Sequence, residues 1–230
     1  MNAFPFDAVL FDCDGVLVDS EPITNRVLAE MLGELGWALS VEESMRIFTG
    51  KAVKDEAALI EAQTGFAITP DWLHAFRLRR NEALERDLTA IPGAAWAVRA
   101  LHAALDGRIA CASGADRHKV ELQLDKIGIL DCFKDRIFSG HEMPRSKPAP
   151  DVYVAAAVAL GVDPARCAVV EDTVTGAMAG VAAGATVFGY SPSDLGHGSP
   201  DALRAIGVAR VFTDMVQLPP LLADWRFVPA

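Results

Sequence analysis

Short apolar runs recur between stretches of helical period along most of this 230-residue chain, and that alternation restricts its fold more than any other feature. The runs are Ala8 to Phe11, Arg108 to Ala112, Arg136 to Ser139, Cys167 to Val170 and Thr186 to Gly189. Between the later ones lie Asp116 to Lys126, Pro150 to Leu160 and Val174 to Ala183, whose apolar positions repeat at helical spacing. Strand and helix in turn predict an α/β, Rossmann-like core with a doubly wound parallel sheet. One section breaks the rhythm. From about Ser20 to Leu88 there are only amphipathic helical segments, Pro22 to Leu35, Val41 to Phe48, Val53 to Gln63 and Pro70 to Arg86. Residues 20–89 are therefore expected to form a small helical bundle inserted after strand one, with 1–19 and 90–230 forming the core. Pro92-Gly93 marks the return to the core, and the crossings near Ser20 and Ile91 are the expected hinge.

Composition bounds what such a chain can do. A hydrophobic fraction of 51% supplies ample core, and a net charge of −10 argues against a nonspecific nucleic-acid or anionic-membrane surface. No segment approaches the roughly 18 uninterrupted apolar residues of a membrane-spanning helix. The start, Met1-Asn2-Ala3-Phe4-Pro5-Phe6-Asp7, has neither a basic region nor a long apolar stretch, so a cytoplasmic protein is expected. Cys13, Cys111, Cys132 and Cys167 show no C-x-x-C spacing and read as reduced, mostly buried thiols. His74, His102, His118, His141 and His197 show no i, i+4 pairing and read as structural or surface side chains.

In an open parallel sheet, ligands bind beyond the carboxyl ends of the strands, so the residues following each run carry the argument. After the first come Asp12-Cys13-Asp14-Gly15. Alternation along an extended segment lets Asp12 and Asp14 address one site while Cys13 points away. Two acids that close repel each other unless a cation or a shared proton intervenes, which suits metal-assisted catalysis with one nucleophile and one acid/base. Ser113-Gly114 follow the second run, and the helix beginning near Asp116 offers N–H groups to an anion. Lys147 stands on a loop stiffened by Pro148 and Pro150, placed to neutralise a phosphate or a carboxylate. Glu171-Asp172 end the fourth run. Four acids facing one lysine leave a deficit of positive charge that a hard divalent ion would fill, and oxygen ligands favour Mg²⁺.

These residues together resemble the haloacid dehalogenase superfamily, over nearly the whole chain. Phe11-Asp12-Cys13-Asp14-Gly15-Val16-Leu17-Val18-Asp19-Ser20-Glu21 is similar to the family's first motif, Ser113 to its second, Lys147 to its third and Glu171-Asp172 to its fourth. The resemblance implies an aspartyl-phosphate on Asp12, with Asp14 protonating the leaving oxygen and then activating water. It implies that Ser113, Gly114 and Lys147 hold the phosphoryl group. Mg²⁺ would be bound by Asp12, by the backbone carbonyl of Asp14 and by Asp172, with Glu171 in direct or indirect support. The insert corresponds to the family's helical cap, which selects substrates.

Asp14 favours phosphate chemistry over dehalogenation, because dehalogenating members usually lack this second acid. Within the capped, β-phosphoglucomutase-like branch, mutases tend to carry a His in the hinge helix and a Ser-Arg pair after the cap's Gly. Here Glu21-Pro22-Ile23-Thr24 and Thr49-Gly50-Lys51-Ala52-Val53-Lys54 show neither, so water is the expected acceptor. Ile137-Phe138-Ser139-Gly140 and Gln217-Leu218-Pro219 are most similar to the group acting on 6-phosphogluconate, so the expected substrate is a small phosphorylated metabolite, a sugar or sugar-acid phosphate. Lys51 and Lys54 are the cap candidates for a substrate carboxylate. A phosphomutase and a phospho-accepting regulatory module are the alternatives. A monomer without nucleic-acid or membrane partners is expected.

Overall fold

Strand β1 (Ala8–Phe11) is buried on every side, as its unbroken apolar sequence requires. The structure is a computed structural model that describes residues 4–192 and 198–227, so His197 lies outside the described residues. After β1 come α1 (Glu21–Glu34), α2 (Val41–Phe48), α3 (Ala57–Thr64) and α4 (Pro70–Asp87). Then follow α5 (Ala94–Ala104), β2 (Ile109–Ser113), α6 (Arg117–Lys126), β3 (Ile137–Ser139) and α7 (Asp151–Ala159). The chain closes with β4 (Cys167–Glu171), α8 (Val174–Ala182), β5 (Thr186–Tyr190), α9 (Pro200–Ala205), β6 (Arg210–Phe212) and α10 (Leu218–Ala223). It divides into two compact units, Met1–Val18 with Ala90–Ala230 and Asp19–Thr89.

In the first unit six parallel strands lie in the order β3-β2-β1-β4-β5-β6. The winding runs outward from β1 through β2 to β3, then returns to the other side of β1 with β4. That reversal leaves a crevice beyond the carboxyl ends of β1 and β4, where Phe11 is in register with Val170. One face of the sheet packs Leu10, Ala112 and Val169 against Val152, Tyr153 and Ala156 of α7 and Ala177 of α8. Helix α8 comes so close that a Cβ at Gly180 would lie 2.8 Å from Val187 and 3.0 Å from Val169.

The second unit builds its own core. Val27, Leu28, Met31 and Leu32 of α1 meet Phe48, Ile60, Phe76 and Ala83. Local signals set its helix starts: Ser40 and Glu43 form a reciprocal capping box on α2, and Thr69 caps α4 just before Pro70. A buried Ser44 donates to Asn25 at 2.8 Å, tying α2 to α1.

Three features differ from the sequence reading. The helix expected over Val53–Gln63 is a 3-10 turn, Val53–Glu56, leading into α3, because β-branched Val53 and the polar Lys54-Asp55-Glu56 give its first turn little helical preference. Helix α5 escaped the reading although Ala94, Ala97, Val98 and Leu101 are buried at helical spacing. So did β6, an edge strand whose Arg210 is exposed and which therefore has no apolar run. Among the described residues no helix is long and apolar enough to cross a membrane. Cys13, Cys111 and Cys167 are free and buried.

Gly180→Val is expected to lower stability by about 1–3 kcal/mol, since valine overpacks the contact and brings little gain in helix propensity. Chemical denaturation checks it: an unchanged midpoint would show that α8 yields without cost.

Candidate active site

Asp12 stands one residue past β1, and its N–H continues the sheet by donating to Val170 O at 3.0 Å. Its carboxylate thus opens into the crevice beside the end of β4. There Lys147 reaches it: Nζ donates to Asp12 Oδ1 at 2.7 Å, to Glu171 Oε1 at 2.6 Å and to Ala112 O at 2.9 Å. The Tyr153 hydroxyl lies 3.0 Å from the same ammonium and donates to Glu171 Oε1 at 2.7 Å. Tyr153 is fully buried on α7, and the sequence reading missed it because Tyr at an apolar helix position looks like core.

Glu171 is held from its other oxygen as well. Oε2 accepts from Asp172 N at 3.2 Å, from Thr173 N at 3.4 Å and from Thr173 Oγ1 at 3.3 Å. These groups surround the N-terminus of α8, where the helix dipole favours an anion. The carboxylate lies where a side chain at position 176 would be: a Cβ on Gly176 would fall 1.8 Å from Oε1. A bare backbone at the first turn of α8 is therefore a condition for seating Glu171.

One oxygen from each of Asp12, Glu171 and Asp172 lies within 4.8 Å of the others. All three side chains are buried. Burial pushes the Asp12 carboxyl well above its usual range, and Glu171, Asp172 and Asp14 push the same way against the pull of Lys147. Burial alone would depress Lys147, but Asp12 and Glu171 outweigh it and raise the ammonium's pKa. Two of the three buried acids, Asp12 and Glu171, share Lys147, and the remaining negative charge, presented through oxygen donors, suits a hard cation. The group fits.

Asp14 has its own partners. Lys119 Nζ donates to Asp14 Oδ1 at 2.7 Å and Gln123 Nε2 donates to the same oxygen at 2.8 Å. Neither was singled out from sequence, because a Lys and a Gln four apart on a helix read as a solvated face. Ser113 ends β2, and its Oγ accepts from Ala115 N at 3.1 Å, curling the exposed Gly114 into a tight loop. Ser139, in register with Ser113, donates to Ala115 O at 2.6 Å and so holds that loop from β3. Asp116 caps α6 by accepting from Lys119 N at 3.0 Å, so a carboxylate already serves that helix N-terminus. Lys51 and Lys54 are exposed residues of the helical unit, and Lys51 lies 3.4 Å from Glu56.

A family model for haloacid dehalogenase-like hydrolases matches residues 6–184. The chain is 32% identical to the 6-phosphogluconate phosphatase of Escherichia coli K12 over 216 residues, covering 94% of each chain. It is 31% identical to hexitol phosphatase B of the same organism over 178 residues, 76% of this chain and 79% of that one. A HAD family hydrolase from Deinococcus radiodurans R1, crystallised with bound phosphate and sodium, is 40% identical and covers 96% of each chain with a TM-score of 0.77.

Replacing Lys147 with Met leaves Asp12 and Glu171 buried without their shared cation, so Lys147→Met is expected to lose about 3–5 kcal/mol of stability in the presence of a chelator. A divalent cation should restore part of that loss. Denaturation with and without the cation checks both statements, and an unchanged midpoint contradicts them.

Proposed function

Since the chain belongs to the haloacid dehalogenase-like hydrolase family, we propose that it is a Mg²⁺-dependent phosphatase of small phosphorylated metabolites that works through an aspartyl-phosphate on Asp12. The observation that carries this is the Asp12 carboxylate, buried at the end of β1 and gripped by Lys147, with Asp14 two residues farther on. A nucleophile must be aimed and its charge favoured, and Lys147 holds Oδ1 and pulls the carboxyl toward ionisation against the effect of burial. Lysine has three N–H groups, and here four acceptors surround them: Asp12, Glu171, Ala112 O and the Tyr153 hydroxyl. We therefore assign Lys147 mainly to orienting Asp12, and give the phosphoryl oxygens to the Ser113 hydroxyl and the backbone N–H groups of its loop. Asp14 delivers a proton to the leaving oxygen and then takes one from the water that opens the aspartyl-phosphate.

Asp12 and Asp172 would hold Mg²⁺ with the backbone carbonyl of Asp14. Glu171, bonded through both oxygens, supports the site by fixing Lys147. When bound, the ion supplies positive charge to the phosphoryl oxygens and relieves the repulsion among the acids.

The substrate class rests on the relatives. One is a 6-phosphogluconate phosphatase and one a hexitol phosphatase, so we propose a phosphorylated sugar or sugar acid. Residues 19–89 would select it, with Lys51 or Lys54 meeting a substrate carboxylate.

Phosphate release from a panel of sugar phosphates, with Mg²⁺ and with a chelator, tests the reading: activity is expected only with the ion, and equal rates in both contradict the metal. Asp12→Asn should lower turnover by about 10³-fold or more. A variant with full turnover removes the covalent route. Lys51→Ala should raise KM for 6-phosphogluconate and leave p-nitrophenyl phosphate hydrolysis nearly unchanged, whereas equal losses on both would dissociate Lys51 from substrate choice.

A further inference from the structure

Asp14 is engaged by two side chains from a single helix face. Lys119 and Gln123 are one turn apart on α6, and both donate to Asp14 Oδ1, at 2.7 Å and 2.8 Å. Lys119 is only 6% exposed and Gln123 is fully buried. A buried ammonium is costly, and Lys119 also stands in the first turn of α6, where the helix dipole disfavours a cation. A residue that runs against both preferences is held there by what it contacts. The Gln123 amide is oriented in turn, because the Cys13 thiol donates to its Oε1 at 3.4 Å and leaves the NH₂ facing Asp14. Cys13 lies between the two site acids in sequence, so the same short segment supplies Asp14 and the group that orients its holder.

We propose that Lys119 and Gln123 are positioning residues that fix the carboxylate of Asp14 for proton transfer to the leaving group. This rests on the reading of Asp14 as the acid/base of the phosphatase reaction. Two donors on one oxygen stop the carboxylate from rotating about its Cβ–Cγ bond. A carboxylate held in one orientation is what proton transfer to the leaving oxygen requires. The proton it gives goes to the ester oxygen as the P–O bond breaks and the new bond to Asp12 forms, and water later returns a proton to Asp14 as it attacks phosphorus. Lys119 and Gln123 exchange no proton in either step.

The test compares two esters that differ in their need for an acid. p-Nitrophenolate leaves as a stable anion, whereas phenolate leaves poorly without a proton, and the two substrates are nearly the same in size. In Lys119→Met, kcat/KM for phenyl phosphate is expected to fall about 10–100-fold further than kcat/KM for p-nitrophenyl phosphate, part of the full value of general acid catalysis. Lys119→Arg, which keeps the charge, should recover much of the phenyl phosphate activity. Gln123→Met should shift the ratio in the same direction by a smaller factor, and decides the matter if Lys119→Met does not fold. Equal losses on both esters, or no loss on either, would reduce Lys119 and Gln123 to structural roles and overturn the proposal. A wild-type protein that releases phosphate with Mg²⁺ from neither ester nor any sugar phosphate of the panel would instead overturn the phosphatase reading itself.

Discussion

The ammonium of Lys147, enclosed between the carboxylates of Asp12 and Glu171, is the interaction on which the arrangement of the site depends. Both carboxylates are buried and the lysine side chain is only 9% exposed, and none could stay so alone, because an unpaired ion inside a protein loses more solvation than packing returns. Each comes from a different part of the chain: Asp12 from the end of β1, Lys147 from the loop before α7, and Glu171 from the end of β4. Ala112 O of β2 and the Tyr153 hydroxyl of α7 complete the shell around Nζ. The cluster therefore fastens the carboxyl ends of the three central strands to the helix that covers them. Fold and site share one set of contacts.

Strand order explains why the acids gather at this place. With β4 beside β1, the residues after both strands must share a few ångströms of the same edge, and both segments end in acids. The resulting field is negative in a chain already carrying a net charge of −10. A phosphate would be repelled from such an edge, and the same edge holds two nearly buried lysines, Lys119 and Lys147, and a set of oxygens that could hold a cation. Positive charge is thus placed locally, beside the acids.

Much of this was legible in the sequence where a residue's type conflicted with its setting. Asp12, Asp14, Glu171 and Asp172 stood out because charge directly follows apolar strand runs, and the helical section stood out because 3.6-residue period persisted with no strand between. The parts that stayed hidden are those whose types agree with a plain local role. Lys119 and Gln123 read as a wet helix face, Tyr153 as core filling, and Ser139 as the end of a strand. Only the pairing of β2 with β1 and β3 brings α6 over Asp14 and Ser139 beside the Ser113 loop. The edge strand β6 was missed for a related reason, because an exposed Arg210 breaks the apolar run that marks inner strands.

The seat of Glu171 against α8 ties two positions of the chain together. With its carboxylate resting where a methyl group at position 176 would stand, the reach of the acid and the bareness of the helix are a matched pair. A lineage that placed any larger residue at 176 would have to shorten or turn the acid at 171 in the same interval, and then refit Lys147 and the Tyr153 hydroxyl to its new location. Among descendants of this sequence, a substitution at 176 should therefore arrive only with one at 171.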